Sequence, residues 1–357
     1  MSQLALALFY ERKEVFALGR KTKKNNITSP ELLAQVNPEN TQLLKEFLDY
    51  LRSVDRSETT IDAYKSDIEI AFVWCLQNNG NKFFVDWTKR NIIAYQNWLL
   101  YENENSPARV RRLRSSLSSL SNFIENILDE DYPNFRNIIG KIEAPINTPV
   151  REKTVLSDED VVGMLDKLVE MKRYDVACLT ALAAYGGRRK AELCRFKVDD
   201  FSDERLVCGG SLWKSSPMKS KGRGRQGKVI CCYTLAHKFR PYFDMWMKDR
   251  SEKGIKSEWL FPNASGSDHI GIPTVNSWMN ILSRISGLDI YAHSFRHYFT
   301  TMLSNEGLPD NVIKEVIQWN DISMVGVYVD RNTEDTLDMY FGSDGIIRKE
   351  TKTLSDL

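Results

Sequence analysis

The 357-residue chain contains no apolar run of 18 residues, so no segment reads as a membrane-spanning helix. Met1–Tyr10 is briefly apolar, but no basic residue precedes the apolar stretch and no small-residue cleavage site follows, so a signal peptide is not expected. The six cysteines, Cys75, Cys178, Cys194, Cys208, Cys231 and Cys232, show no Cys-x-x-Cys spacing. With no export signal, that pattern points to reduced thiols and a cytoplasmic protein, host- or phage/plasmid-encoded. There are four histidines and no pair at a usual zinc spacing, so chemistry without a protein-bound metal is expected. A net charge of +1 excludes a strong global attraction to nucleic acid and leaves only local patches for that role. No internal repeat or low-complexity tract is present.

What the chain does have is length and helical periodicity. Its size suits two domains better than one. Residues 1–37 have weak periodicity and read as a flexible arm, possessing at most one short helix. Residues 38–144 read as all helical. Leu43, Leu44, Phe47, Leu48 and Leu51 recur at helical spacing, and Ser57 is a natural N-cap for a helix through Ile61, Tyr64, Ile68, Phe72 and Leu76. Another helix is expected to hold Ile92, Ile93, Tyr95, Trp98 and Leu99. Ser106-Pro107 opens a further one, with Arg109, Arg111, Arg112 and Arg114 on one side and Leu113, Leu117, Leu120, Phe123, Ile124 and Ile127 on the other. Pro145 and Pro149 mark a linker over 145–153. A second domain is expected over 154–341, opening at Ser157-Asp158-Glu159-Asp160, with a tail at 342–357. It is helical to about 197 and again from about 235 to 341. Between these lies a small sheet over Arg205–Cys208 and Val229–Tyr233, with a basic hairpin. Trp213 to Lys228 holds six Lys or Arg and no acid.

Three separated sites carry the chemistry. Arg189 and Glu192 stand three apart, as a helical face on which a carboxylate orients a guanidinium. His293 and Arg296 have the same spacing, with Phe295, Phe299, Met302 and Leu303 on a core-facing side, so an imidazole and a cation are expected to be presented together to a phosphate. Trp319 is followed nine residues later by Tyr328. Each pair alone also suits a plain surface ion pair or decoration.

Together, Arg189-Lys190-Ala191-Glu192-Leu193, His293-x-x-Arg296 and the late Tyr328 resemble the ordered signature of the tyrosine recombinase or phage integrase family. Trp319, where most members carry a second histidine, resembles the Cre-like subgroup. So do Ser57-Glu58-Thr59-Thr60, Trp74-Cys75-Leu76-Gln77-Asn78-Asn79 and Trp98-Leu99-Leu100-Tyr101. The resemblance covers roughly residues 40–341. It implies a mainly α, two-domain C-shaped DNA clamp, with an all-helical core-binding domain and a mainly helical catalytic domain with a small antiparallel sheet. It implies conservative site-specific recombination through a 3′-phosphotyrosine on Tyr328, without metal, ATP or other cofactor. Arg189 and Arg296 clamp the phosphate, His293 assists proton transfer, and Trp319 has a positional role. A hairpin lysine protonates the leaving 5′-oxygen: Lys221 fits the Gly-Lys-Gly context best, with Lys219 next. The expected partners are double-stranded DNA with a specific target site and, on DNA, three further copies of a chain that is monomeric when free; no membrane is involved. Candidate DNA contacts are Arg109, Arg111, Arg112, Arg114, Lys219, Arg223 and Arg225. Tyr340, in an apolar patch near Leu337–Phe341, suits packing, against a neighbouring protomer or within the chain. His297 suits a packed residue. A type IB topoisomerase or telomere resolvase shares the same residue set, and a DNA-binding protein without catalysis is the alternative outside enzymes.

Overall fold

The computed structural model describes residues 27–146, 154–220, 227–328, 341–342 and 345–346, with 327–328 and the last four by backbone only. The described chain is mainly α and falls into two compact units, meeting in sequence between Glu152 and Lys153.

The N-terminal unit holds α1 (Pro30–Leu33), α2 (Pro38–Ser53), α3 (Glu58–Asn78), α4 (Lys89–Asn97) and α5 (Pro107–Ile127). The long helices start where side chains satisfy N–H groups that lack an intrahelical acceptor. Asn37 accepts from the Glu39 amide at 2.9 Å, Ser57 from Thr60 at 3.4 Å and Ser106 from Arg109 at 3.3 Å. Pro38 and Pro107 sit in the first turn, where a missing N–H costs nothing. The core is built from Phe47, Ile68, Phe72, Leu113, Leu117, Leu120 and Ile124. Trp74 packs its ring 5.5 Å from Trp87 and 5.1 Å from Tyr95. Ile127, expected on the core side of α5, is half exposed at the last turn. α4 continues as a π-helical turn, Trp98–Glu102, that buries Leu99.

Residues 27–37, expected as part of a flexible arm, are built into this unit. Ile27, Leu32 and Leu33 pack on this core, Val36 is buried, and the Asn37 amide donates to Asn81 Oδ1 at 2.9 Å. Apolar surface at these positions gains more from burial than a solvated arm offers. Residues 1–26 and the 147–153 part of the expected linker lie outside the described residues.

The C-terminal unit centres on α7 (Tyr174–Gly186), buried at every position from Val176 onward. That explains a sequence apolar all round rather than striped. α6 (Asp158–Glu170), α9 (Ala236–Glu252) and α11 (Ala292–Asn305) pack against it. Ser157 and Asp160 cap α6 reciprocally. The short α8 (Lys190–Leu193) follows α7, and α10 (Ile272–Ser286), α12 (Asp310–Ile317) and α13 (Ser323–Tyr328) complete the helices. The expected small sheet forms in two pieces. One is antiparallel in the order β1 (Leu206–Val207), β2 (Leu212–Lys214), β5 (Tyr233–Leu235). The other is the hairpin β3 (Met218–Ser220) with β4 (Lys228–Ile230), where Lys219 faces Val229 and Ser220 faces Lys228. Arg205, expected in a strand, sits in a 3-10 turn. Phe341, expected to end a helical stretch, begins β6 (Phe341–Gly342), paired with β7 (Gly345–Ile346).

Candidate active site

The site begins where α7 stops. Gly187 takes φ +61, a left-handed conformation open to glycine, and its amide closes on the Ala183 carbonyl at 3.0 Å. A Cβ here would also collide with the Phe299 ring of α11. This close approach sets the Gly187 carbonyl against Arg296, whose Nη1 donates to it at 2.9 Å.

Arg189 comes next. Sequence spacing suggested that Arg189 and Glu192 share a helical face; instead Arg189 precedes α8 with extended backbone (φ −70, ψ 150), at its N-cap position. Glu192 folds back on it. One carboxylate oxygen accepts the Arg189 amide at 2.9 Å, and the other accepts Arg189 Nη1 at 3.1 Å and Ser220 Oγ at 2.5 Å. Glu192 is buried, whereas the Arg189 side chain is 34 % exposed. Burial pushes the Glu192 carboxyl up, but the charge of Arg188, the Ser220 hydroxyl, the Arg189 amide and the Arg189 charge together hold it below its usual value. Glu192 therefore ties the arginine turn to β3, one residue before Lys221.

On α11 the predicted helical pair is present, and Phe295, Phe299, Met302 and Leu303 are buried behind it. The two members are not presented alike. His293 is exposed, while Arg296 is fully buried, with Nη2 3.3 Å from the Ile317 carbonyl and its guanidinium 5.2 Å from the centre of the Trp319 ring. Trp319 is carried there by Gln318, which takes φ +62 at the end of α12, and by its own amide, which donates to the Lys314 carbonyl at 3.0 Å. Its position beside Arg296 is a cation–π contact. Desolvation first, then His297, Arg296 and Arg189, push His293 down to about 4. The ring is thus neutral near pH 7 and a weaker base than an ordinary imidazole. His297, expected as a packing residue, sets its ring edge-on to His293 at 5.3 Å.

Around these residues stand two hairpin lysines. Lys219 is exposed and its carbonyl accepts from Arg195 at 2.5 Å. Lys228 reaches Asn320, next to Trp319, at 2.6 Å. Lys221, Arg223 and Arg225 lie outside the described residues, as does Tyr340. Tyr328 ends α13, which packs on α11 and α12 and buries Val325 in the same core.

Residues 154–335 match the Phage integrase family, and residues 43–134 match the phage integrase N-terminal SAM-like domain. The chain belongs to the phage integrase family. Its members are tyrosine recombinases, enzymes that cut and rejoin DNA. The SPbeta prophage-derived recombinase-like protein YomM of Bacillus subtilis (strain 168) is 30% identical over 277 residues, covering 75% of this chain and 80% of its own. A tyrosine recombinase of Pseudothermotoga lettingae is 25% identical over 299 residues, covering 81% and 93%. The fold is shared with XerH recombinase bound to palindromic difH substrate (TM-score 0.60, 17% identity, 92% of each chain). It is shared also with a lambda integrase dimer bound to a COC' core site (TM-score 0.59, 15% identity, 82% and 96%).

In the N-terminal unit of this integrase-family chain, the α5 arginines divide. Arg109 and Arg112 are 30 % and 57 % exposed, and both bind the buried Asp67, at 2.7 and 3.2 Å. Ser116 donates to the same carboxylate at 2.9 Å. Arg111 caps the Pro145 carbonyl at 2.9 Å. Arg114, expected among the DNA contacts, is taken up inside the domain instead. It is buried and donates to the carbonyls of Ile139, Ile142 and Glu143 at 3.1, 2.6 and 3.1 Å, and to Gln96. Its place one turn before Leu117 puts it on the core-facing side of the helix, where its donors close the segment after α5.

Three positions that hold the candidate residues in place escaped sequence reasoning. Gly187 had a signal, a Gly-Gly ending an apolar helix. Ser220 and Asp67 had none, because their partners lie 28 and at least 42 residues away. Among the described residues no group of three His, Cys, Asp or Glu is arranged to hold a metal ion, and no helix is long and apolar enough to cross a membrane.

Proposed function

We propose that the chain is a site-specific recombinase that cleaves and rejoins double-stranded DNA through a 3′-phosphotyrosine on Tyr328. The observation that carries this is the gathering of Arg189, Glu192, His293, Arg296 and Trp319 in one unit, with the helix ending at Tyr328 packed on the helix of His293 and Arg296 and on the one that leads to Trp319. Solved structures of the same fold are complexes: XerH with difH substrate, lambda integrase with a COC' core site and Tn1549 integrase with circular intermediate DNA. Four copies acting on two inverted-repeat sites complete the reading.

Attack of the tyrosine oxygen on phosphorus forms the P–O(Tyr) bond and releases a 5′-hydroxyl, so the bond energy is kept for rejoining. Charge grows on the non-bridging oxygens, and Arg189, the more open guanidinium, meets it directly. Arg296 adds positive charge from behind and braces the Gly187 turn. Neutral His293 takes up the tyrosine proton. The leaving 5′-oxygen needs a proton, which a hairpin lysine, Lys221 or Lys219, supplies. Arg109, Arg111 and Arg112 contact phosphates.

Tyr328→Phe is expected to abolish covalent DNA attachment while leaving binding intact. The variant protein, used to select bound fragments from random DNA, yields an inverted-repeat site. A covalent adduct persisting in Tyr328→Phe sinks the assignment. Relaxation of supercoiled DNA lacking that site, with no recombination of paired sites, moves the reading to a type IB topoisomerase.

A further inference from the structure

We propose that Arg188 is a positioning residue, which works beside Arg296 to lock the end of α12, and with it Trp319 and the tyrosine helix, onto the turn that carries Arg189. This rests on the reading of Arg189 and Tyr328 as partners on one phosphate. The two come from segments far apart in the chain, so something must set one against the other.

Those segments meet through helix ends. α7 and α12 each pack on α11 and share little direct packing. Both stop at a left-handed residue, Gly187 after α7 (φ +61) and Gln318 after α12 (φ +62). A helix C-terminus leaves carbonyls without intrahelical donors and carries roughly half a negative charge. After α12, the Gln318 and Trp319 amides close on the Glu315 and Lys314 carbonyls. The next two carbonyls, Val316 and Ile317, accept from arginines instead.

The arginines run in parallel. Arg188 Nε donates to the Gly186 carbonyl, and its Nη2 to Val316 at 2.7 Å. Arg296 Nη1 donates to the Gly187 carbonyl at 2.9 Å, and its Nη2 to Ile317 at 3.3 Å. Each guanidinium thus joins the end of α7 to the end of α12, one residue apart on both sides. A single strap is a pivot, whereas a second beside it fixes orientation. The planar fork of a guanidinium holds its donors in set directions, which a flexible ammonium does not. Both arginines are fully buried, so Arg188 cannot reach DNA. The two helix ends supply the negative partial charge that a buried cation needs. Arg188 directly precedes Arg189, and Val316 lies one turn before Trp319. α13, which ends at Tyr328, packs on α12. The straps therefore hold the phosphate cation and the nucleophile in one frame.

The test uses the full chain with Arg188→Met, which keeps the reach of the side chain and removes its donors. Covalent adduct formation is followed in a single turnover on the DNA site recovered with Tyr328→Phe. Its amplitude counts folded, competent molecules, and its rate constant reports their geometry. The rate constant is expected to fall about tenfold, as for a displacement short of the 1 Å that costs up to about 10²-fold. DNA affinity, measured in the Tyr328→Phe background, should not change. A lower amplitude at the parental rate, or an affinity loss as large as the rate loss, overturns the proposal and leaves Arg188 a plain structural residue. Arg188→Lys, which keeps the charge without the fork, should also be slower, and a lysine variant as fast as the parent overturns the strap. It serves equally should Arg188→Met not fold. A second measurement needs no DNA. In protein labelled with 5-fluorotryptophan, the Trp319 fluorine signal, assigned by its loss in Trp319→Phe, should shift or split in the Arg188 variants, while those of Trp74 and Trp87 in the other unit stay in place. An unmoved Trp319 signal overturns the proposal. A parent protein that forms no adduct counts against the recombinase reading alone.

Discussion

Both units bury one acid to aim surface arginines, and they do it differently. In the N-terminal unit, Asp67 holds Arg109 and Arg112 from successive turns of α5, with Ser116 as a third donor. In the C-terminal unit, Glu192 holds Arg189 by its own main chain and side chain, with Ser220 as the third donor. The first arrangement presents two guanidinia on a regular helix, spaced by its pitch. The second fixes a single guanidinium on an irregular turn. Two cations along a helix suit the repeated phosphates of a backbone, where position is forgiving. One rigidly placed cation suits a transition state, where a displacement of about 1 Å costs up to about 10²-fold.

The largest expected effect would sharpen that contrast. Arg189→Ala should lower the rate of covalent adduct formation by on the order of 10²–10³, with filter-binding affinity for the same DNA changing little. A loss of affinity as large as the loss of rate would make Arg189 a mere docking residue and erase the difference between the units. Gly187→Ala comes next. It forces a Cβ into Phe299 and strains a backbone at φ +61, for about 2–4 kcal/mol in all. Denaturant unfolding should show the loss, and cleavage should fall with it because the Gly187 carbonyl also seats Arg296. A variant as stable as the parent would mean the turn is not set by this contact. Asp67→Asn is the smallest, about 1–3 kcal/mol from weakened buried hydrogen bonds. DNA affinity should drop, while the slope of log affinity against log salt, which counts neutralised phosphates, holds steady as long as Arg109 and Arg112 remain. A shallower slope would show that Asp67 decides whether these arginines meet DNA at all.

Much of this was legible in the one-dimensional pattern. Ser57, Ser106 and Ser157 opened helices where predicted, since a cap depends on neighbours in sequence. His293 and Arg296 fell on one helix for the same reason. Arg189 and Glu192 were paired correctly but given the wrong backbone. Three-residue spacing fits both a helical face and an N-cap reciprocated from the third helical residue, and the Gly187 turn selected the second. The α5 arginines show the limit most plainly. Four cations at similar spacing looked equivalent, yet Arg114 went inward because the carbonyls of Ile139, Ile142 and Glu143 stood within its reach.

The sequence by itself determined the family, the helical capping pattern and the pairing of Arg189 with Glu192, because those reside in local order and spacing. Only the tertiary structure decided which arginines face outward, that Ser220 and Glu192 link the hairpin to the arginine turn, and that Arg188 is buried between Gly186 and Val316. Those choices depend on which acceptors a fold brings within about 3 Å of each donor, across tens of residues to more than a hundred.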